Sequence, residues 1–457
     1  MLGAPAVAPK PLRPYQFDAI AACREQFRRH RRVVLVSPTG SGKTRTAAEV
    51  VRLAVAKGSR VLWLAHRTEL IDQTCATLAE LGLEVGAVAA RTAWEIAPAA
   101  PVQVASIQTL LARDIRPPAQ LLIWDECHHA SEAAEKWATI LDAYKETHAL
   151  GLTATPERGD GSGLAPLFTG LAVAVSVRRL TEMGHLVPCE VARPDAVLEP
   201  KHIAQHPLAA YRAHAPGQQG FLFARSVEEA ETYAREFTEA GIRTVAVHAD
   251  TKADDRAAAL AGFRSGHVRM LANVYVFTEG TDLPMAQCCI LARGASTPGI
   301  FLQMVGRVLR PWDGGGRAPR KTSATLIDLR GISHLHGMPE DERIYSLDGR
   351  GIALAGRVCK VCGQPVEEYP CGKCGYAPEA GEGEDDAGSV VADVPINKYA
   401  RKIAEGPQQR HETAVRWIRA ALLKGHNPKA IFFKWNAVYG ERLTKEAYMR
   451  ALREANG

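Results

Sequence analysis

Ser37-Pro38-Thr39-Gly40-Ser41-Gly42-Lys43-Thr44, placed directly after Val33-Val34-Leu35-Val36, sets the frame for this chain. Four branched apolar residues in a row read as a strand buried on both faces. Behind it come two glycines, a lysine and a hydroxyl at the spacing of a strand–loop–helix turn. Glycines let backbone N–H groups approach oxygen closely, and a helix opening at Gly42 adds the positive end of its dipole. Such a loop cradles phosphates. Thr39, Gly40, Ser41 and Gly42 form the cradle, Lys43 reaches the β and γ groups, and the Thr44 hydroxyl ligates Mg²⁺. Ser37 stands where the GxxxxGKT spacing has its first glycine, so the match also leans on the strand that leads into it.

Outward from this point, apolar runs alternate with helical stretches in two blocks. The first has Val33 to Val36, Val61 to Leu64, Val102 to Ala105, Leu121 to Trp124 and Leu150 to Leu152. The second has Phe221 to Phe223, Val245 to Val247, Met270 to Val274, Cys289 to Leu291 and Ala324 to Ile327. This alternation predicts an α/β fold of two tandem parallel-sheet domains, residues 1–190 and 191–350, with helices on both sheet faces. A small cysteine module follows at 351–378, then an acidic flexible linker at 379–398 and a basic helical tail at 399–457.

Further motifs carry chemistry. Asp125 and Glu126 close a buried strand, where a parallel sheet opens its binding crevice. Asp125 suits Mg²⁺ through its water shell, and Glu126 suits orienting and deprotonating a water. Thr153-Ala154-Thr155-Pro156 closes the next apolar run. Gln303, Arg307 and Arg310 follow Pro298-Gly299 on a predicted helix, where the two arginines, three apart, share a face. Arginines brought from the second domain would stabilise charge developing on a transferred phosphoryl group. A solvated basic face is the alternative reading, opposed by Gly306 in mid-helix.

Together with Arg13-Pro14-Tyr15-Gln16 and Thr278-Glu279-Gly280-Thr281-Asp282, these segments resemble the superfamily 2 DEAD/DEAH-type helicases over residues of about 10 to 330. The resemblance implies two RecA-like domains and a nucleic-acid-dependent ATPase. It implies that Arg13 and Gln16 recognise adenine and that Gly280 and Asp282 touch the nucleotide. It further implies that Gln303 and Arg307 bind near the γ phosphate, that Arg310 is the arginine finger, and that Thr153 and Thr155 relay the nucleotide state. Asp-Glu-Cys-His is closer to the DEAH pattern, which disfavours an RNA-specific protein. Family segments that hold a strand match His66 and Arg67, Gln108 and Thr109, Arg225, and Thr278.

The formal net charge is +6, with 56 Lys+Arg against 50 Asp+Glu. From Tyr399 to Gly457 there are 12 Lys+Arg against 5 Asp+Glu, so this tail holds +7 and the rest is near neutral. The tail can meet phosphates or form a solvated face. With 46% hydrophobic residues, no apolar run of membrane-spanning length and no signal-peptide core at the start, the chain is expected in the cytoplasm. Cys23, Cys75, Cys127, Cys189, Cys288 and Cys289 sit in apolar stretches and read as reduced core residues.

Cys359, Cys362, Cys371 and Cys374 form two CxxC knuckles, each backed by a glycine, and predict one structural tetrahedral Zn²⁺. A helicase core followed by such a ribbon resembles bacterial RadD-like DNA repair helicases and related phage-encoded proteins. Phe432, Phe433, Trp435 and Tyr439 can stack on bases or form a small core, and their helical spacing favours the core. The leading expectation is an ATP-dependent DNA helicase or translocase acting in repair or recombination on single-stranded or branched DNA. A repair-protein partner would dock through the ribbon or tail. The alternatives are a duplex translocase or branch-remodelling motor without unwinding, an ATP-gated binding switch, and a restriction-type motor subunit.

Overall fold

The computed structural model describes residues 11–354 except 66–67, 91, 93, 95, 132–133, 159–160, 166, 279–281, 317–318 and 349–351, together with 390–400, 411, 414–415, 418 and 444–456. Two seven-stranded sheets dominate it. The first contains β1 (Arg32–Val36), β2 (Val61–Ala65), β3 (Val85–Val88), β4 (Val102–Ser106), β5 (Leu121–Asp125), β6 (His148–Thr153) and β7 (Gly170–Val173). Its order is β3-β4-β2-β5-β6-β1-β7, every pairing parallel. Val36 lies beside Thr153 and Asp125 beside Leu152, so β5, β6 and β1 finish at one edge.

The second sheet starts from β8 (Cys189–Arg193). After the short β9 (His202–Ile203) it continues through β10 (Gly220–Phe223), β11 (Thr244–Val247), β12 (Met270–Asn273), β13 (Cys288–Leu291) and β14 (Ala324–Asp328). Beyond it, β15 (Arg343–Tyr345) and β16 (Ile352–Leu354) pair antiparallel, and β17 (Val390–Val391) pairs with β9. The last strand, β18 (Asn397–Ala400), runs antiparallel to β8 and completes the order β11-β12-β10-β13-β14-β8-β18.

Period-two alternation explains why each sheet has two cores. Val33 and Leu35 enter one cluster with Trp63 and Ile123, while Val34 and Val36 enter another with Trp124 and Phe168. In the second sheet Phe221 and Phe223 go to one face, Leu222 to the other. Leu180, Leu186 and Val187 already belong to the second core, ahead of β8. The six scattered cysteines are buried and free, and burial pushes the Cys23 and Cys75 thiols up to about 12, so they stay protonated packing residues.

The stretch expected as a flexible linker differs at its end. Val390–Val391 and Asn397–Ala400 are paired strands, the Ala392 N–H donates to the Ile203 carbonyl at 2.7 Å, and Ile396 packs against the second lobe. Val394 and Ile396, both half-buried, give it apolar surface to pack. The expected zinc ligands Cys359, Cys362, Cys371 and Cys374 lie outside the described residues, as do Phe432, Phe433, Trp435 and Tyr439. In the tail, the helix Lys445–Asn456 contributes Tyr448 and Ala451 to a small cluster with Ala414 and Ile418. Among the described residues no helix is long and apolar enough to cross a membrane.

Candidate functional site

The loop after β1 turns on Gly40 and Gly42, at φ +86° and +79°, and Gly42 caps the helix Lys43–Val55. That conformation suits glycine and leaves the first N–H groups of the helix facing outward. Ser37 Oγ lies 2.6 Å from Ser41 Oγ, and the Ser37 N–H donates to the Thr153 carbonyl at 2.9 Å, tying the loop to β6. The helix Pro14–Phe27 begins against the back of the loop. There the Tyr15 hydroxyl donates to the Ser41 carbonyl at 2.6 Å, and the Gln16 amide donates to the carbonyls of Ser41 and Gly42 at 3.4 and 3.3 Å. Arg13 Nη1 donates to the Tyr15 hydroxyl at 3.1 Å, so Arg13 and Gln16 both flank the phosphate loop.

Asp125 ends β5 and is buried, its Oδ1 accepting the Glu126 N–H at 3.1 Å. Glu126 takes a left-handed backbone at φ +48°, which turns its carboxylate back toward the loop. A non-glycine residue there is strained, a feature that collects at functional sites. Lys43 Nζ meets Glu126 Oε1 at 2.8 Å, in a pair 12% and 18% exposed. This ion pair fixes the loop and the strand end as one unit. Thr44 and Asp125 supply a hydroxyl and a carboxylate, the hard oxygen donors that Mg²⁺ takes, so the residues fit that ion.

His128, on the short 3₁₀ turn Cys127–Ser131, adds a link that the motif reading passed over. Its Nδ1 lies 3.1 Å from Thr153 Oγ1 and 3.4 Å from Glu126 Oε2, and its Nε2 lies 3.0 Å from Gln303 Nε2 of the second lobe. The Thr153 hydroxyl in turn donates to the Thr155 carbonyl at 2.6 Å. The signal available in sequence was its position, two residues past the second carboxylate.

The second lobe closes on this edge through the helix Pro298–Gly306. A Cβ on Gly306 would fall 2.9 Å from Thr39 Cβ, and one on Gly40 would fall 3.3 Å from Arg310 Cγ. Arg307 is buried and Arg310 pairs with Asp282. The expected shared helical face for Arg307 and Arg310 is corrected: the helix ends at Gly306, Arg307 caps it, and Arg310 lies beyond. Pro311 disfavours helical backbone at Arg310. The turn after the helix carries Arg310 to the Gly40 side.

Of the expected nucleic-acid contacts, Gln108 is exposed on the helix Ile107–Arg113, whereas Thr109 is buried. Arg225 holds Glu229 through Nη2 at 2.9 Å and Nε at 3.2 Å. His66, Arg67 and Gly280 lie outside the described residues, as does the Thr278 side chain.

Comparison with known proteins agrees with this geometry. A family model described as type III restriction enzyme, res subunit, matches residues 9–158, and one described as helicase conserved C-terminal domain matches residues 202–311. A Lactococcus phage protein described only as a 51.5 kDa protein is 30% identical over 372 residues, 75% of this chain and 77% of that protein. A Saccharomyces cerevisiae protein named "Putative ATP-dependent helicase IRC3" is 29% identical over 343 residues, 65% of this chain; the chain spans 49% of that relative's length. Among solved structures, the ATP-dependent Type ISP restriction-modification enzyme LlaBIII bound to DNA shares the fold at a TM-score of 0.51 and 17% identity, covering 70% of this chain and 28% of that one.

Proposed function

The chain belongs to the superfamily 2 helicases and is a nucleic-acid-dependent ATPase, and from that premise we propose that it couples ATP hydrolysis to movement along DNA and strand separation, in repair or recombination. The observation that carries this reading is the contact of His128 with Gln303, which joins the Glu126 carboxylate of one lobe to the helix leading to Arg307 and Arg310 in the other.

In the proposed reaction the triphosphate lies on the N–H groups around Gly42, and Lys43 exchanges Glu126 for the β and γ phosphates. Glu126, released from that pair, accepts a proton from water as the water oxygen bonds to the γ phosphorus. The bond from that phosphorus to the bridging oxygen breaks, giving ADP and phosphate. A Mg²⁺ held by Thr44 and Asp125 would neutralise phosphate charge. Arg307 and Arg310 stabilise the equatorial oxygens only while the lobes are together, so turnover and closure are one event. Both lobes present candidate strand contacts, Gln108 on one and Arg225 on the other, and closure therefore advances the protein along the strand.

ATP turnover measured with single-stranded DNA, duplex DNA, forked DNA and RNA tests the substrate, with the largest stimulation expected from DNA carrying a single-stranded segment. Displacement of a tailed strand, set against fork regression, tests unwinding; regression alone makes the protein a branch-remodelling motor. For Cys359, Cys362, Cys371 and Cys374 we propose a structural zinc, because two CxxC knuckles provide four thiolates and no open position. Metal analysis should return one zinc per chain, lost when any of the four is changed to serine.

A further inference from the structure

Along the carboxyl edge of the second sheet, four neighbouring strands in the order β12, β10, β13 and β14 each lead into a cation or an aromatic ring. Tyr275 follows β12, Arg225 follows β10, Arg293 follows β13 and Arg330 follows β14. Tyr275 is the odd member. Its backbone lies at φ +57°, where glycine, asparagine and aspartate are at ease and a bulky ring is an outlier. The ring is not there to fill the core: Tyr275 is 40% exposed, while Asn273 and Phe277 on either side are buried. Over it sits the guanidinium of the buried Arg293, its Cζ 3.4 Å from the ring centroid, also donating to the tyrosine hydroxyl.

Strained backbone that holds an aromatic ring out toward solvent, with a cation fixed against it, gains little for stability. Such strain persists where function requires it. An unstacked nucleobase has the complementary chemistry, a flat π face that stacks on tyrosine and is favoured further by a nearby guanidinium. Bases within a duplex are already stacked and cannot offer that face. The neighbouring strand ends carry the charge that a backbone needs. Arg330 is 4% exposed, its Nε has no hydrogen-bond partner among the described residues, and its Nη2 reaches only the Leu198 carbonyl at 3.5 Å. Burial and the nearby Arg225 lower its pKa to about 10, with Asp328 partly opposing.

We propose that Tyr275, backed by Arg293, is a base-stacking platform for a single strand crossing the second lobe, with Arg225 and Arg330 facing the adjoining phosphates. This rests on the chain's reading as a nucleic-acid-dependent motor and adds to it the face on which a base is held. Tyr275 lies seven residues before Asp282, the partner of Arg310 beside the phosphate loop, so a base seated there sits on the segment that leads to the nucleotide.

The test uses Tyr275→Gly and Tyr275→Phe in the full chain, with a short oligothymidylate, the same oligonucleotide annealed as duplex, and a strand carrying 2-aminopurine. Glycine relieves the positive φ, so a merely structural tyrosine predicts an unchanged or higher melting temperature and unchanged binding. A platform predicts that Tyr275→Gly keeps its fold but loses about tenfold or more in affinity for the single strand. The oligonucleotide concentration for half-maximal ATPase stimulation rises in step, while the maximal rate and duplex binding hold. Tyr275→Phe retains most of the affinity, and wild type and Tyr275→Phe perturb 2-aminopurine fluorescence more than Tyr275→Gly does. Equal single-strand affinity of Tyr275→Gly and wild type overturns the platform; a wild-type protein that binds no oligonucleotide overturns both the platform and the motor reading.

Discussion

The side-chain amide nitrogen of Gln303 lies 3.0 Å from Nε2 of His128, and the two residues belong to different lobes. An amide nitrogen can only donate, so this geometry assigns the imidazole proton to Nδ1, toward Thr153 Oγ1 at 3.1 Å. The Thr153 hydroxyl then accepts from His128 and from the Thr155 N–H at 3.0 Å, and donates to the Thr155 carbonyl at 2.6 Å. Each group in the chain has a partner for each role it plays. The second lobe thus touches the turn that positions Glu126.

His128→Ala and Gln303→Ala should therefore each lower kcat for ATP, by about tenfold or more, with ATP affinity close to wild type. Because both remove one contact, the double variant should fall little further, with a coupling of about 1 to 3 kcal/mol in a double-mutant cycle. Simple additivity of the two losses would show that the contact does not transmit closure.

Glu126→Gln preserves shape and removes the base. Turnover should fall by about 10² to 10⁴, while nucleotide binding, followed by a fluorescent ATP analogue, persists or tightens. The variant also loses the ion pair with Lys43, which is 2.8 Å long in the wild type, so the lysine meets no competitor for the phosphates. Residual turnover near the wild-type rate would place the base elsewhere.

Both sheets were legible where apolar runs were long and uninterrupted, as in Val33 to Val36 and Leu121 to Trp124, because a strand buried on both faces needs no alternation to declare itself. Four strands escaped that test. Val85–Val88 contains glycine and alanine, Gly170–Val173 begins on glycine, Cys189–Arg193 is bracketed by Pro188 and Pro194, although proline is tolerated next to a strand end, and Asn397–Ala400 begins on two polar residues. At the site, the motifs single out Lys43, Asp125, Glu126 and the arginines, and the structure brings Lys43 against Glu126 and Arg310 near Gly40. The bridging role of His128 and the exposed, strained ring of Tyr275 could not be read from motifs, since both depend on which strand ends the crossovers bring side by side.

Gly306 permits the lobes to meet. A Cβ there would come 2.9 Å from Thr39 Cβ, closer than side-chain carbons tolerate, and 3.3 Å from its Oγ1. Gly306→Ala, at the last residue of its helix, should favour the helix by less than the ~0.5 to 1 kcal/mol of an interior site, leaving the melting temperature of the protein unchanged or slightly raised. Its ATP turnover should nevertheless drop, because alanine props the phosphate loop away from Arg307 and Arg310. Loss of activity without loss of stability is the signature, read by calorimetry beside steady-state kinetics; a fall in both would mean that the helix itself had been disrupted.

Lys321 couples the second lobe to pH. Only 2% exposed, it donates to the Ala286 carbonyl at 2.5 Å and the Pro284 carbonyl at 3.3 Å, just beyond Asp282. Burial, assisted by the nearby Arg310 and partly opposed by Cys189, lowers its pKa to about 7 from 10.5. Between those values the unfolded chain holds the proton and the folded chain releases it, so stability rises with pH through this window and is lowest below its acid end. The full span corresponds to roughly 5 kcal/mol, enough to move the melting temperature by several degrees. Lys321→Met removes the titration and leaves two carbonyls without a donor. Relative to wild type, the variant should therefore melt higher below neutrality and lose that advantage steadily as the pH is raised toward 10. A constant difference between the two proteins across that range would mean that Lys321 keeps its charge on folding.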